Sequence, residues 1–146
     1  MRELQASIEI EAGPERVWEV LTDGAAYPEW NPFIRRLEGP IEPNGRLEVR
    51  IEPEARRALT FRPRVLTVEP TRELRWLGSF LFRGLFDGEH AFLIEPVGPG
   101  RVRFVQRERF TGLFVPFFRK GLAATRLGFE RMNVALKNRA EGRAAS

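Results

Sequence analysis

The stretch Pro116-Phe-Phe-Arg-Lys-Gly-Leu-Ala-Ala-Thr-Arg-Leu-Gly-Phe-Glu-Arg-Met-Asn-Val-Ala-Leu-Lys-Asn-Arg-Ala140 decides how the rest of this chain must be arranged. Phe118, Leu122, Thr125, Phe129, Met132 and Leu136 recur at alternating steps of four and three, which at 3.6 residues per turn places all six on one stripe of a helix. That stripe must be buried. Pro116 suits a first turn, and Lys137 and Arg139 suit a last one, where the helix dipole favours cations. At about 1.5 Å per residue the helix would run roughly 35–38 Å, so only a broad curved surface covers it.

Two other faces of the same helix carry information. Gly121, Ala124, Gly128 and Ala135 lie beside the apolar stripe, and each interior glycine costs about 1 kcal/mol relative to alanine. Two readings are open: close backbone packing, or room for a ligand between helix and sheet. The far side mixes Arg119, Lys120, Arg126, Arg131 and Lys137 with Leu127 and Val134. It reads as a solvated face, with a partner contact as the alternative.

Working outward, residues 2–11 alternate, with Leu4, Ala6, Ile8 and Ile10 on one side, as a half-buried strand does. Gly13-Pro14 breaks the strand and opens a helix through Thr22, which Asp23-Gly24 ends. The aromatic segment from Ala25 to Phe33 holds two prolines and room for one short turn. From Ile34 to Thr111 the period stays near two and turn signals recur. Strands are predicted at about 33–38, 47–51, 58–69, 72–82, 86–96 and 101–111, with Pro63 at an edge or a bulge. The order is strand, two short helices, about six antiparallel strands and one long helix, an α+β fold with a twisted sheet curved around the helix. Residues 1–141 form the expected single domain, and 142–146 a frayed tail.

Composition bounds the chemistry. Hydrophobic residues make up 42% and charged residues 30%, with no cysteine and one histidine, so disulfides, thiolate chemistry and a zinc site of nitrogen and sulfur ligands are disfavoured. No phosphate loop, dinucleotide fingerprint or nucleophile elbow occurs, and no metal or cofactor is expected. The net charge is +4, and its 22 arginines and two lysines alternate with acids along strands and helix; a nucleic-acid binder would cluster them. No nucleic-acid partner is expected. The opening Met-Arg-Glu-Leu-Gln lacks the apolar core of a signal peptide, and no apolar run nears the ~18 residues that span a bilayer. The expected location is the cytoplasm, and the oligomeric state is left between monomer and weak homodimer.

One constellation has possible chemistry. His90, Phe92 and Ile94 share a face of one strand, and Val102, Phe104, Gln106, Glu108 and Phe110 share a face of the next. Their apolar members turn both faces inward, which brings His90, Gln106 and Glu108 to the interior. An imidazole and a carboxylate in an apolar pocket can move protons during enolisation, dehydration or ring closure. The alternative is that they hydrogen-bond each other, or arginines such as Arg75, and orient a ligand's polar group. Candidate lining residues are Trp76, Phe80, Phe92, Phe104, Phe129 and Met132, with Gly128 leaving room. Trp30 and Phe33 follow the first helix, as a gate or a plug. The apolar turn Phe80-Leu-Phe-Arg-Gly-Leu-Phe86 is a further candidate for the entrance.

Several of these stretches together resemble a known family. Val17-Trp-Glu-Val-Leu-Thr-Asp23 followed by Tyr27-Pro-Glu-Trp-Asn-Pro-Phe33 is similar to the N-terminal signature of the SRPBCC or START-like superfamily, in its polyketide cyclase/dehydrase and lipid-transport branch. Thr60–Val65 with Glu73–Trp76, Gly88–Phe92 with Glu95-Pro96, and Phe110–Leu113 agree in order. The resemblance implies a helix-grip fold, a seven-stranded antiparallel sheet wrapped around the C-terminal helix with a deep cavity between. It implies a small hydrophobic ligand, whether lipid, polyketide-like or aromatic. It leaves open an enzyme of cyclase, aromatase or dehydratase type acting through His90 and Glu108, and a protein- or ribosome-interaction module. It supplies no catalytic motif to carry over, so function must be argued from the site.

Overall fold

The computed structural model of the chain describes residues 2–80 and 84–142, with the side chain of Phe80 outside that description. Strand β1 (Arg2–Ile10) buries Leu4, Ala6 and Ile10 on one face. Helix α1 (Pro14–Thr22) begins with its proline in the first turn and buries Val17, Val20 and Leu21. A 3-10 turn at Gly24–Ala26 leads into the one-turn helix α2 (Tyr27–Trp30), with Pro28 in its first turn and Pro32 just beyond its end to stop it. Tyr27 is wholly buried and donates its hydroxyl to the Leu21 carbonyl. Burial, with the Asp23 charge adding, pushes its phenol well above the usual range. The Asn31 carboxamide accepts from the backbone N–H groups of Phe33 (3.0 Å) and Ile34 (2.9 Å), which aims the chain into the next strand.

Strands β2 (Ile34–Glu38), β3 (Glu48–Ile51) and β4 (Leu59–Phe61) form one three-stranded antiparallel sheet in that order. Strands β5 (Arg64–Glu69), β6 (Glu73–Phe80), β7 (Phe86–Gly98) and β8 (Arg101–Thr111) join β1 in a second, with the order β1-β8-β7-β6-β5. The expected single seven-stranded sheet is thus corrected to five strands plus three. Pro63 is the physical reason. It has no N–H for a ladder and restricts the residue before it, so the strand predicted at 58–69 breaks into β4 and β5, which belong to different sheets. The sheets still meet at one corner, where Arg46 pairs with Arg64 and the Leu47 N–H reaches the Pro63 carbonyl at 3.0 Å.

Helix α3 runs over Arg119–Ala140, three residues later than expected, because Pro116 sits in a separate 3-10 turn at Val115–Phe117. Its 22 residues span roughly 33 Å. Leu122, Phe129, Met132 and Leu136 of the expected stripe are buried, and the helix packs against β1, α1 and α2. Phe118 is 44% exposed and Thr125 half-buried. At that end the helix leaves the packed core. The tail expected at 142–146 lies outside the described residues apart from Gly142.

Candidate functional site

Where the first turns of α3 rise from the five-stranded sheet, a cavity of about 1190 Å³ opens. Its inner walls are Trp76 from β6, Phe86 and His90 from β7, Glu108 and Phe110 from β8, and Gly121, Leu122, Thr125 and Phe129 from α3. The loop between β3 and β4, residues 52–58, closes the remaining side with Pro53, Glu54, Arg56 and Arg57. Such a space suits a small organic molecule, and its walls are mostly apolar.

The inner end is polar, and the sheet register is what makes it so. His90 is paired with Glu108 across β7 and β8, and Phe92 with Gln106. His90 Nδ1 lies 3.4 Å from Glu108 Oε1, with the two side chains only 5% and 12% exposed. His90 Nε2 lies 3.1 Å from Gln106 Oε1. The Gln106 amide N–H groups are spent elsewhere, on Asn133 Oδ1 at 2.8 Å and the Phe129 carbonyl at 3.3 Å. Gln106 therefore offers the imidazole its carbonyl, and Nε2 must be the protonated nitrogen. That leaves His90 Nδ1 facing the Glu108 carboxyl oxygen. An imidazole nitrogen and a carboxyl placed side by side at a cavity wall are the groups that general acid–base chemistry uses.

The imidazole is clamped in place. It stacks on Phe92 with centroids 4.1 Å apart and an interplanar angle of 18°, and tilts against Trp76 (5.4 Å) and Phe129 (4.8 Å). The Glu108 carboxyl has its own slot, because a Cβ on Gly88 would collide with Glu108 Oε2. Asn133, only 2% exposed, ties the polar row to α3, and its own Nδ2 is buried with no hydrogen-bond partner among the described residues.

The residues singled out in the sequence fall into distinct places. Phe33, Trp76, His90, Glu108 and Phe129 line the cavity. Phe92, Phe104 and Gln106 are fully buried behind the His90 ring or beside it, and Met132 is buried in the core. Gly128 does not open onto the cavity, since a Cβ there would run into the Phe33 ring. Its glycine serves close packing, whereas Gly121 lines the cavity with nothing within 4 Å of such a Cβ. Trp30 packs edge-on against Tyr27 and lines a separate, smaller pocket beside Leu127 and Val134. The Phe80 side chain and residues 81–83 lie outside the described residues. Arg75 binds Glu73 (3.0 Å) and Glu89 (2.9 Å) on the opposite face of the sheet, so it does not serve His90 or Glu108.

Sequence reasoning missed Asn133, Gly88 and the 52–58 loop. Gly88 had a signal: a glycine inside a strand often marks a close approach. On α3, Arg126 and Arg131 of the basic face already face Glu130 (3.6 Å) and Glu54 (3.8 Å).

Two antiparallel sheets with a long C-terminal helix beside a cavity make an α+β fold consistent with the helix-grip arrangement. The chain belongs to the family described as polyketide cyclase / dehydrase and lipid transport, whose model matches residues 1–141. Among curated proteins, none matches it in sequence. Solved structures share its fold across almost the whole length. Protein MLL2253 from Mesorhizobium loti superimposes with a TM-score of 0.77 at 17% identity, covering 98% of this chain and 99% of that one. The Zhui aromatase/cyclase from Streptomyces sp. R1128 gives 0.77 at 16% identity, covering 96% and 93%. A START superfamily protein from Mycobacterium smegmatis gives 0.72 at 22% identity, covering 96% and 97%.

Proposed function

We propose that the protein binds a small hydrophobic molecule, a lipid, polyketide-like or aromatic compound, in the cavity between the five-stranded sheet and α3. The ligand's polar group meets Glu108 and His90 at the inner end. The observation that carries this reading is a large, mainly apolar cavity converging on one buried acid–base pair. Energetics support it. Polar groups buried without full hydrogen bonding are costly, and an amide such as Asn133 Nδ2, with no hydrogen-bond partner among the described residues, costs about 1–3 kcal/mol. A chain that needed only a core would fare better with leucines here. Paired arginines on the outer sheet faces, such as Arg103 and Arg107 beside Glu9 and Glu3, support a small molecule over a nucleic acid as the partner.

Native mass spectrometry of the purified protein, followed by organic extraction, tests the reading. A stoichiometric apolar compound supports it. An empty protein with no thermal shift across a hydrophobic library, and no binding of the uncharged dye N-phenyl-1-naphthylamine, overturns it.

The 3.4 Å approach of Nδ1 and Oε1 at the cavity wall favours a second reading, an enzyme of cyclase, aromatase or dehydratase type in which Glu108 and His90 serve as acid and base. Glu108→Gln would then abolish turnover and leave binding largely intact. Equal loss of both would leave polar anchoring as their role.

A further inference from the structure

We infer that the rim of the cavity is a docking surface for an anionic lipid bilayer. Leu113 and Phe117 are 73% and 81% exposed, and Phe114 and Phe118 beside them 37% and 44%. Water contact on this scale is costly for side chains of this size, and clustered exposed apolar groups mark interaction sites. The segment is not a loose end. The N–H groups of Leu113 and Phe114 bond to the carbonyls of Gly84 (3.3 Å) and Leu85 (2.9 Å). Gly112 has φ +126 and lies so close to the Leu85 backbone that a Cβ would collide with it. The turn therefore presents its apolar side chains from a fixed base. Phe118, the next residue after Phe117, already lines the cavity, so the apolar tips stand at its mouth.

The charges around the mouth select the kind of surface. Arg119 and Lys120 follow Phe118, and Arg56 and Arg57 stand across the opening on the 52–58 loop; all four are exposed. None of the four has an ion-pair partner among the described residues. The contrast with the rest of the surface is plain, because Arg103, Arg107 and Arg109 on β8 each lie within 4.0 Å of a β1 glutamate. The two acids of the 52–58 loop, Glu52 and Glu54, face Arg50 at 3.5 Å and Arg131 at 3.8 Å. Apolar tips ringed by uncompensated cations match the interfacial region of an anionic bilayer, where each cation raises partitioning on the order of fivefold. Docked this way the cavity opens toward acyl chains rather than water.

The inference concerns the rim and goes beyond the question of what fills the cavity. Its test is sedimentation of the full chain with phosphatidylcholine vesicles and with vesicles holding about 30 mol % phosphatidylglycerol. Binding should favour the anionic vesicles at least tenfold and weaken in about 0.5 M NaCl, where the Debye length falls to a few ångströms. The double variant Leu113→Ser/Phe117→Ser and the double variant Arg119→Glu/Lys120→Glu should each lose at least tenfold with an unchanged thermal midpoint. Leu127→Ser/Val134→Ser, on the opposite face of α3, should bind as the natural chain does. Indifference to both vesicle types overturns the inference, as does an equal loss in the control variant. Self-association through Leu113 and Phe117, seen in sedimentation velocity, overturns it as well. Dye binding in the cavity is measured separately, so a failure of docking and a failure of the cavity reading are told apart.

Discussion

The two halves of α3 obey the same periodicity and meet opposite fates. From Gly128 to Ala140 the inward residues are packed: Phe129 is 1% exposed, and Met132 and Leu136 are fully buried. From Arg119 to Thr125 the same stripe stands over empty space, with Leu122 buried at its margin and Gly121 and Thr125 facing the cavity. The glycines mark the difference. Gly128 exists because the Phe33 ring occupies the place of its side chain; Gly121 has nothing against it. One helix can thus serve as core at one end and as the wall of a container at the other. The helix is packed against the core at one end and borders open space at the other.

The strongest way to break this comparison is to truncate the stripe at both ends. Leu136→Ala should cost about 2–5 kcal/mol, lowering the thermal midpoint by roughly 10 °C for a chain of this size. Phe118→Ala, in a 44% exposed residue whose ring meets Phe86 edge-on at 4.9 Å, should cost less than about 1.5 kcal/mol. Equal losses in a calorimetric scan would mean that the N-terminal half is as firmly packed as the rest.

The polar row that joins the halves comes next. Gln106→Leu strands Asn133 Oδ1 and His90 Nε2 in the interior and should cost about 2–4 kcal/mol. The chain has one histidine, so its imidazole nitrogens are resolved alone in an NMR spectrum. The natural protein should show Nε2 protonated, and the variant should lose that fixed tautomer. An unchanged spectrum would remove Gln106 from its positioning role.

Gly128→Leu should cost about 1–3 kcal/mol, less the helix-propensity gain of nearly 1, as Phe33 is forced from its site. An unchanged midpoint would show that Phe33 yields freely. The sequence alone assigned Gly128 either to packing or to the ligand, since a glycine on a helix gives no sign of what approaches it.

The element order and the inward faces of β7 and β8 were legible because they follow from local period. His90 and Glu108 meet because alternation placed both inward and the hairpin register set them opposite. What escaped depends on distant partners. Pro63 was readable as a defect, but its assignment to a break between two sheets needs the pairing of Arg46 with Arg64. Asn133 resembles any polar helix residue until Gln106, 27 positions away, is seen to bond it. The 52–58 loop has no period at all, so its place as a cavity wall could not be read.

The smallest effect on stability belongs to Gly121→Leu, and it sharpens the comparison most. Gly121 lies in the first turn of α3, where replacing glycine by leucine should gain up to about 0.8 kcal/mol and raise the midpoint by about 2 °C. No atom stands within 4 Å of the added Cβ, so nothing has to move. The new side chain instead projects into the cavity beside Leu122 and Thr125, removing the volume that an apolar ligand needs. Binding of N-phenyl-1-naphthylamine should fall at least tenfold in a protein that melts slightly higher. The same substitution seven residues along, at Gly128, should do the reverse, lowering the midpoint and leaving the cavity its volume. If both variants lost stability and binding together, the helix would be one packed unit and the distinction between its halves would fall.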